Sequence, residues 1–391
     1  MAFILPIYLL LFGGMQLYIF LKMLAAFPRL GHWSAIPGAA LLVLLVAPLL
    51  GWWADHAGHD SLARPLLGAG FVWLVISGWS FMLFVGTDVW DLLVRLAGKW
   101  LPWASRLGLA PRTVFLAVAV IVAAGVVWGL IEAANIRVRE VTVATPRLAP
   151  GSAPIRIVQI TDMHLGLVIG EQRLRKVVGL IERLHPDVIV STGDLVDSGL
   201  DRVEDLAPIL AELKAPLGKF AVTGNHEFYA GLDRSIAFHE ACGLRMLREE
   251  SAVVGGRLRI AGVDDPAGLP VGMGRLSRLN EDATLPKPGL SADASAKAGG
   301  DGFTLFLKHR PEANPRSLGR FDLQLSGHVH GGQVFPFWYF VRLFYPLTPG
   351  EHALAEGSRI YVSRGTGTWG PPIRVGAPPE ITLIVLTPEE P

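Results

Sequence analysis

The chain has 391 residues, of which 51% are hydrophobic, and its formal net charge at pH 7 is +1. A single cysteine, Cys242, excludes a metal site built from thiolates, and the absence of basic runs interleaved with aromatic residues leaves no electrostatic footprint for nucleic acid. The composition therefore indicates a protein with long apolar segments, and we expect no nucleic-acid partner.

Four apolar stretches in the first third of the chain predict membrane-spanning helices. None contains Asp, Glu, Lys or Arg, and each approaches the roughly 20 residues that a helix needs to cross a bilayer. They are residues 3–21, 35–53, 66–87 and 113–131. A cleaved signal peptide would explain only the first. We therefore predict a transmembrane domain over residues 1–134, with spans at about 3–25, 35–53, 66–87 and 113–134, and a linker at 135–153.

The basic residues of the connecting loops predict an orientation. Six follow the first and third spans, and four lie on the other side; the two sets are Lys22, Arg29, Arg95, Lys99, Arg106 and Arg112, and Arg64, Arg137, Arg139 and Arg147. By the positive-inside rule the larger set is cytoplasmic, so we expect the N-terminus and the second half of the chain to lie outside the cytoplasm. Ionisable groups occur only near the span ends, which favours an anchor, or a wall for a lipid substrate, over an ion pathway.

The second half of the chain has the pattern of an α/β domain. Apolar runs rich in β-branched residues predict strands, and each ends just before a polar cluster; they are 155–160, 188–190, 220–222, 303–307 and 321–325. Apolar residues at helical spacing from Leu174 to Leu184 predict a crossover helix after the first strand. Later strands, at 257–263, 359–362 and 381–386, lack such helices, so we expect more antiparallel pairing there.

Polar clusters at these strand ends are predicted to supply the ligands of two metal ions. They are Asp162 to His164, Gly193 to Asp197, Gly224 to Glu227, His309, and Gly327 to His330. Imidazole and carboxylate ligands suit Mn, Fe and Zn. Two such ions about 3.5–4 Å apart can clamp a phosphoryl group for in-line attack. Because ligands at the ends of strands meet at one edge of an α/β sheet, we expect these clusters to converge.

The order of the clusters, together with Gly327 to Gln333, Ser363 to Gly367 and Ala377 to Glu380, resembles the bacterial membrane-associated branch of the calcineurin-like metallophosphoesterase superfamily. The resemblance extends over residues 154–388. It implies a four-layer α/β/β/α sandwich over 154–391. Together with the four transmembrane helices predicted from the apolar stretches, this indicates a multi-pass protein of the bacterial inner membrane. It also implies a ligand set: Asp162, His164 and His330 for the first metal, Asp194 as the bridge, and Asn225, His309 and His328 for the second.

The same resemblance assigns roles to the remaining polar residues. His226 would lie beside the leaving group as an acid or charge stabiliser. Asp197, counted with His226 as catalytic, and Glu227 would orient the ligands. Many relatives have Asp where this chain has Glu227. Lys308 and Arg310, on either side of His309, are candidates for holding an anionic substrate, unless they point to solvent.

The resulting hypothesis is a membrane-anchored phosphohydrolase. A hydroxide bridging two divalent ions (Mn, Fe or Zn, with Mn preferred in assays) would attack a phosphodiester or pyrophosphate of a lipid-linked or membrane-proximal substrate, and membrane lipids would be its partners. Two alternatives stay open: a membrane-bound phosphomonoesterase or protein phosphatase, and a non-catalytic scaffold that binds a phosphorylated ligand. The second is weakened because every expected ligand position is filled.

Two segments of the second half have open interpretations. The aromatic segment 335–346 is either a loop buried against the sheet or a surface that dips into lipid headgroups. The segment 272–302, rich in Ala, Ser, Gly and Pro, is expected to be a flexible insertion, with a lid beside His309 as the alternative.

Overall fold

The structure is a computed structural model that describes residues 4–197, 199–269, 281–286 and 302–389. The chain forms two compact units. One contains residues 1–131 with 370–373, and the other contains residues 132–369 with 374–391.

The first unit is built from long apolar helices. They are α1 (Ile4–Ala26), α2 (Ala35–His56), α3 (Asp60–Gly98) and α4 (Pro111–Ala134). Within the described residues, 4 helical segments are long and apolar enough to cross a membrane. Large apolar side chains such as Leu10 and Val120 are exposed along them, as expected of helices that face lipid. Helices α2 and α3 extend beyond the spans predicted at 35–53 and 66–87.

Helices α2 and α3 approach each other closely at two glycines. A Cβ atom at Gly70 would lie 2.7 Å from the ring of Pro48, and one at Gly51 would lie 2.8 Å from Leu67. Small residues at such crossings let helix backbones pack tightly in lipid, where burial against a neighbour gives little hydrophobic gain. These glycines therefore have a packing role.

The second unit contains two six-stranded sheets. The strands are β1 (Arg137–Thr145), β2 (Ile155–Ile160), β3 (Val188–Ser191), β4 (Lys219–Ala221), β5 (Arg245–Met246), β6 (Glu250–Val254), β7 (Leu258–Gly262), β8 (Phe303–Leu307), β9 (Leu323–Ser326), β10 (Gly350–Ala353), β11 (Arg359–Val362) and β12 (Glu380–Pro388). The first sheet has the order β1-β12-β2-β3-β4-β5, and the second has the order β10-β11-β9-β8-β7-β6.

Helices cover the outer faces of both sheets. They are α5 (Glu171–Arg183), α6 (Ala207–Ala211), α7 (Asn225–Tyr229), α8 (Leu232–Ala241), α9 (Glu281–Thr284) and α10 (Phe337–Phe344). The predicted crossover helix is α5, which buries Leu174, Val177, Val178 and Ile181 at helical spacing against the first sheet. Val341 of α10 packs near Ile360 and Val362 on the second sheet.

The strands are apolar on both faces because each sheet lies between two layers. In β2, Ile155 and Ile157 enter the core between the sheets, whereas Val158 and Ile160 pack on the helix side. Side chains alternate between the faces of a strand, so a nearly continuous apolar run is needed to fill both cores. The four-layer α/β/β/α sandwich implied by the resemblance is confirmed.

One expectation about this unit needs correction, and a second is confirmed in part. Residues 137–145 of the expected linker form β1, which pairs in parallel with β12 and buries Val143 between the sheets. The later strands β7, β11 and β12 each pair antiparallel with one neighbour (β6, β10 and β2), as expected, and parallel with the other (β8, β9 and β1). Most of the segment 272–302 lies outside the described residues.

Candidate metal centre

Five strands of the second unit end at the candidate ligands. In the first sheet, Asp162 and His164 follow β2, Asp194 follows β3 and Asn225 follows β4. In the second sheet, His309 follows β8, and His328 and His330 follow β9. Because β2, β3 and β4 are parallel to one another, as are β8 and β9, the carboxyl ends of each set meet at one edge. The sequence prediction that the clusters converge is confirmed by this geometry.

The backbone at these positions is unusual. Five candidate ligands have positive φ angles: Asp162 at 52°, His164 at 51°, Asp194 at 53°, His328 at 72° and His330 at 49°. Such left-handed conformations are uncommon for residues other than glycine, and they persist where the surrounding structure holds them. The flanking strands supply that support, so each side chain turns sharply out of its sheet.

Gly193 makes the close approach of three of these segments feasible. Its φ is +94°, and a Cβ there would lie 2.6 Å from the Gly224 nitrogen and 2.7 Å from His309 Nδ1. Any larger residue would separate the ends of β3, β4 and β8.

The candidate ligands form overlapping groups. Three sets bring their ligand atoms within 4.8 Å of one another: Asp162, His164 and His330; His164, Asp194 and His226; and Asp194, His309 and His328. Asp194 belongs to the second and third sets, the position expected of a bridge. Nε2 of His164 lies 3.0 Å from Nε2 of His330, and Nε2 of His309 lies 3.1 Å from Nδ1 of His328. Two imidazole nitrogens therefore converge at each end of the site.

These residues fit a pair of divalent ions. Asn225 Oδ1 is buried and has no hydrogen-bond partner in the described part of the chain, which is costly for an amide oxygen unless it meets a cation. Burial and the nearby charges of His309 and Arg310 lower the pKa of His328 to about 2, so its imidazole is neutral. The donor set of imidazole nitrogens, carboxylates and an amide oxygen suits Mn, Fe or Zn.

Neighbouring groups orient the imidazole rings. His309 Nδ1 lies 2.8 Å from the carbonyl oxygen of Thr192, which leaves Nε2 facing the site. Nε2 of His328 lies 3.0 Å from the hydroxyl of Tyr345, which leaves Nδ1 facing the site. Partners of this kind fix the tautomer and direction of a ligating imidazole.

Arg374 supports His330 from behind. Its guanidinium is fully buried, donates to the carbonyl oxygens of His330 and Arg364, and lies 3.0 Å from His330 Nδ1. Burial lowers the pKa of this guanidinium to about 9. Arg374 therefore connects the loop after β9 to the Gly-rich segment around Gly367, whose carbonyl oxygen also accepts from it.

Glu227 is an internal anchor of the site. Its fully buried carboxylate accepts hydrogen bonds from the backbone nitrogens of Asp194 at 2.9 Å, Leu195 at 2.9 Å and Gly224 at 2.6 Å. One side chain thus holds the β3 and β4 loops together. This is the orienting role that the resemblance implied for this residue.

His226 is buried beside Asp197. Its Nδ1 is 2.8 Å from the carbonyl oxygen of Asp197 and 3.2 Å from the Asp197 carboxylate. Burial alone would lower the pKa of His226, but the hydrogen bond to Asp197 and the charges of Asp194 and Asp197 outweigh it and raise the pKa to about 9. The ring also lies near the exposed aromatic side chains of Tyr229 and Trp369. At neutral pH His226 is a cation that can donate a proton.

The expectation that Lys308 and Arg310 hold substrate finds no support in the structure. Lys308 is buried, and its ammonium lies 2.9 Å from the buried carboxylate of Glu281. Arg310 donates to both oxygens of Asp265, at 2.7 and 2.9 Å, and reaches the Tyr345 hydroxyl at 3.4 Å. A cation buried without a partner is costly, so both side chains turn to internal carboxylates instead of toward the site opening or solvent.

Several supporting residues were absent from the sequence prediction. Asp265, Tyr345 and Arg374 lie far along the chain from the ligands they support, and none belongs to a recognisable motif. The isolated arginine among the glycines, prolines and apolar residues of 367–379 is the one available signal for Arg374. No sequence feature indicated a role for Asp265 or Tyr345.

Several known proteins are similar in sequence to part of this chain. The family model described as Calcineurin-like phosphoesterase matches residues 155–332. A metallophosphoesterase of Aquifex aeolicus (strain VF5) is 38% identical over 66% of this chain and 94% of its own. A protein of Danio rerio, named Transmembrane protein with metallophosphoesterase domain, is 32% identical over 68% of this chain and 61% of its own. Among solved structures, a 5'-nucleotidase precursor from Thermus thermophilus is 16% identical with a TM-score of 0.33, over 60% of this chain and 54% of that one.

Proposed function

The chain belongs to the calcineurin-like phosphoesterase family, and from this premise we propose that it hydrolyses a phosphodiester or pyrophosphate bond of a lipid-linked or membrane-proximal substrate. The observation that supports the proposal is the presence, in one chain, of a candidate metal-ligand set and of helices long and apolar enough to span a membrane. Such an anchor would keep the catalytic unit close to a substrate that stays in the membrane.

The metal-holding roles follow the geometry described above. Asp162, His164 and His330 would hold one ion, and Asn225, His309 and His328 would hold the other. Asp194 would contact both. When bound, the two ions, with Mn, Fe and Zn as candidates, would neutralise phosphoryl charge and supply a nucleophile from water at neutral pH.

The other residues of the site act on the proton and on the substrate's position. His226 would donate a proton to the leaving oxygen, and Asp197 would hold the ring through Nδ1 so that Nε2 faces the substrate. Glu227 keeps the loops that carry Asp194 and Asn225 at a fixed separation.

The location is also part of the proposal. We place the chain in a bacterial inner membrane, where the Lys and Arg bias of the loops favours a catalytic unit on the extracytoplasmic side. Protease digestion of spheroplasts and of inverted vesicles checks this. Cleavage within residues 135–391 only in inverted vesicles would contradict it.

The test of the activity is Mn²⁺-dependent turnover by the detergent-purified full chain. We expect hydrolysis of bis(p-nitrophenyl) phosphate to exceed that of p-nitrophenyl phosphate, and Asn225→Ala to abolish it. Asn135→Ala, which removes an exposed asparagine amide outside the site, is the matched control and retains turnover. Hydrolysis of the monoester alone would indicate a phosphatase instead, and near-normal diester turnover by Asn225→Ala would refute the site assignment.

A further inference from the structure

Helix α10 has an outer face of large apolar side chains. The helix has the sequence FWYFVRLF, and its side chains on this face are between 55% and 78% exposed. They are Phe337, Tyr339, Phe340, Leu343 and Phe344. A contiguous apolar patch of this kind on a folded domain marks an interaction surface. The alternative of a loop buried against the sheet is therefore wrong for this segment.

The inner face of α10 is fixed to the domain. Val341 and Tyr345 pack near Val329, Ile360 and Val362 on the second sheet. These inner positions recur at helical spacing, which orients the opposite side outward. The exposed face is thus a property of a docked helix and not of a mobile flap.

Close packing also ties α10 to the metal-ligand loop. A Cβ at Gly332 would lie 2.4 Å from the backbone nitrogen and Cα of Trp338, and the φ of Gly332 is +78°. At the other end of the helix, the next residue is Tyr345, whose hydroxyl contacts His328. The apolar face therefore lies within a few residues of the candidate metal centre at both ends.

The residues of α10 favour a lipid surface as the partner of its outer face. Aromatic residues concentrate at membrane–water interfaces, and amphipathic helices lie there with their apolar face in the acyl boundary. The guanidinium of Arg342 lies 5.2 Å from the ring centroid of Trp338, where it can meet phosphate headgroups. No Asp or Glu occurs from Gly331 to Gly350, so nothing in this segment repels an anionic bilayer.

The same chain keeps a bilayer within reach of the catalytic unit. Helix α4 ends at Ala134, and β1 begins at Arg137. So short a connection cannot let the domain diffuse far from the membrane that holds the apolar helices. The bilayer is therefore tethered to the same chain as α10, whereas a protein partner would have to be recruited.

We propose that α10 inserts its outer face into the interfacial layer of the bilayer and thereby presents the metal centre at the level of lipid headgroups. The inference deepens the proposed function, because it explains how a headgroup phosphate reaches the site without the lipid leaving the membrane. The insertion itself requires no catalytic turnover.

The test is the depth of a spin label on full-length protein in nanodiscs of phosphatidylethanolamine and phosphatidylglycerol. Leu343→Cys and, separately, Phe344→Cys receive a nitroxide, and Val253→Cys on β6, an exposed apolar position, is the matched control. The native Cys242 is buried and its thiol pKa is raised to about 12 by desolvation, so it contributes little labelling. Collision rates with oxygen and with a water-soluble nickel chelate report depth.

We expect both α10 labels to show an oxygen-to-nickel collision ratio about threefold or more above that of the Val253 label, because oxygen concentrates in the acyl region and the chelate stays in water. Equal ratios at all three positions would overturn the proposal. Labels on α10 that are immobile and shielded from both reagents would also overturn it, since a protein partner would then cover the helix. Because the readout is independent of turnover, failure of the proposed phosphodiester activity leaves this result interpretable.

Discussion

The hydroxyl oxygen of Tyr345 lies 3.0 Å from Nε2 of His328, and this contact links the metal centre to a buried charge pair. Arg310 reaches the same hydroxyl at 3.4 Å while it donates to both carboxylate oxygens of Asp265. The series Asp265, Arg310, Tyr345 and His328 therefore fixes one imidazole from outside the ligand set. Its members come from loops separated in sequence and meet only in the folded domain.

Tyr345→Phe removes the hydroxyl and leaves the ring packed. Without a partner at Nε2, His328 loses its fixed tautomer, and we expect the affinity for the second Mn²⁺ to fall about 10- to 100-fold, with little loss of thermal stability. Isothermal titration of the metal-depleted protein with Mn²⁺ measures this. Tyr339→Phe, on the exposed face of α10, is the control. An unchanged second affinity in Tyr345→Phe would show that the contact does not orient His328.

Glu227→Gln tests the anchor of the β3 and β4 loops. In the wild type, backbone N–H groups donate to the two carboxylate oxygens of Glu227. A glutamine amide has only one oxygen, and its NH₂ group cannot accept a hydrogen bond. At least one backbone N–H therefore loses its acceptor, at a cost of about 1–3 kcal/mol. We expect the thermal midpoint of the full chain in detergent to fall by several degrees and metal affinity to weaken with it. Glu240→Gln, at an exposed position, should change neither. Equal midpoints for the two variants would contradict the anchoring role.

Much of the fold was predictable because the relevant signals are local. The apolar runs of β2, β3 and β8 each precede a ligand, and periodic burial in α5 follows from its own sequence. The four long apolar helices were evident from the absence of charged residues. In contrast, β1 reads as a linker because its burial comes from β12, more than two hundred residues away. Parallel pairing of β8 and β9 was also not evident, since their crossover contains no helix.

The residues of the candidate site also differ in whether local sequence predicts their positions. Candidate ligands such as Asp162 and His328 lie in short motifs at strand ends, so their convergence was predictable from the strands alone. The side-chain orientations of Lys308 and Arg310 depend on ion pairs with Glu281 and Asp265, and only the tertiary structure shows that these residues are close. The positions of Lys308 and Arg310 next to His309 in the sequence therefore did not indicate that their charges lie beside the substrate.

Removal of metal ions should destabilise the catalytic unit. Ions that bind only the folded state stabilise it by about 2.7 kcal/mol per site when the free ion is at 100 times its dissociation constant. Chelation should therefore lower the thermal midpoint, and added Mn²⁺ should restore both the midpoint and turnover. Asp194→Asn, which weakens the candidate bridge, should show a smaller shift on chelation. A midpoint that is insensitive to chelator in the wild-type chain would argue against bound structural ions.

His226→Asn tests proton donation to the leaving group. His226 is cationic at neutral pH because Asp197 and Asp194 raise its pKa to about 9, against the opposing effect of burial. General acid catalysis contributes about 100- to 10,000-fold, and the contribution grows as the leaving alcohol becomes more basic. The variant should therefore hydrolyse alkyl p-nitrophenyl diesters nearly normally when p-nitrophenol departs, and dialkyl diesters far more slowly than wild type. Asp197→Asn should show the same dependence on the leaving group with a smaller loss, since it acts through the ring it orients. A uniform loss across all leaving groups would assign His226 to charge stabilisation instead, because a fixed cation beside the phosphoryl group assists every substrate alike.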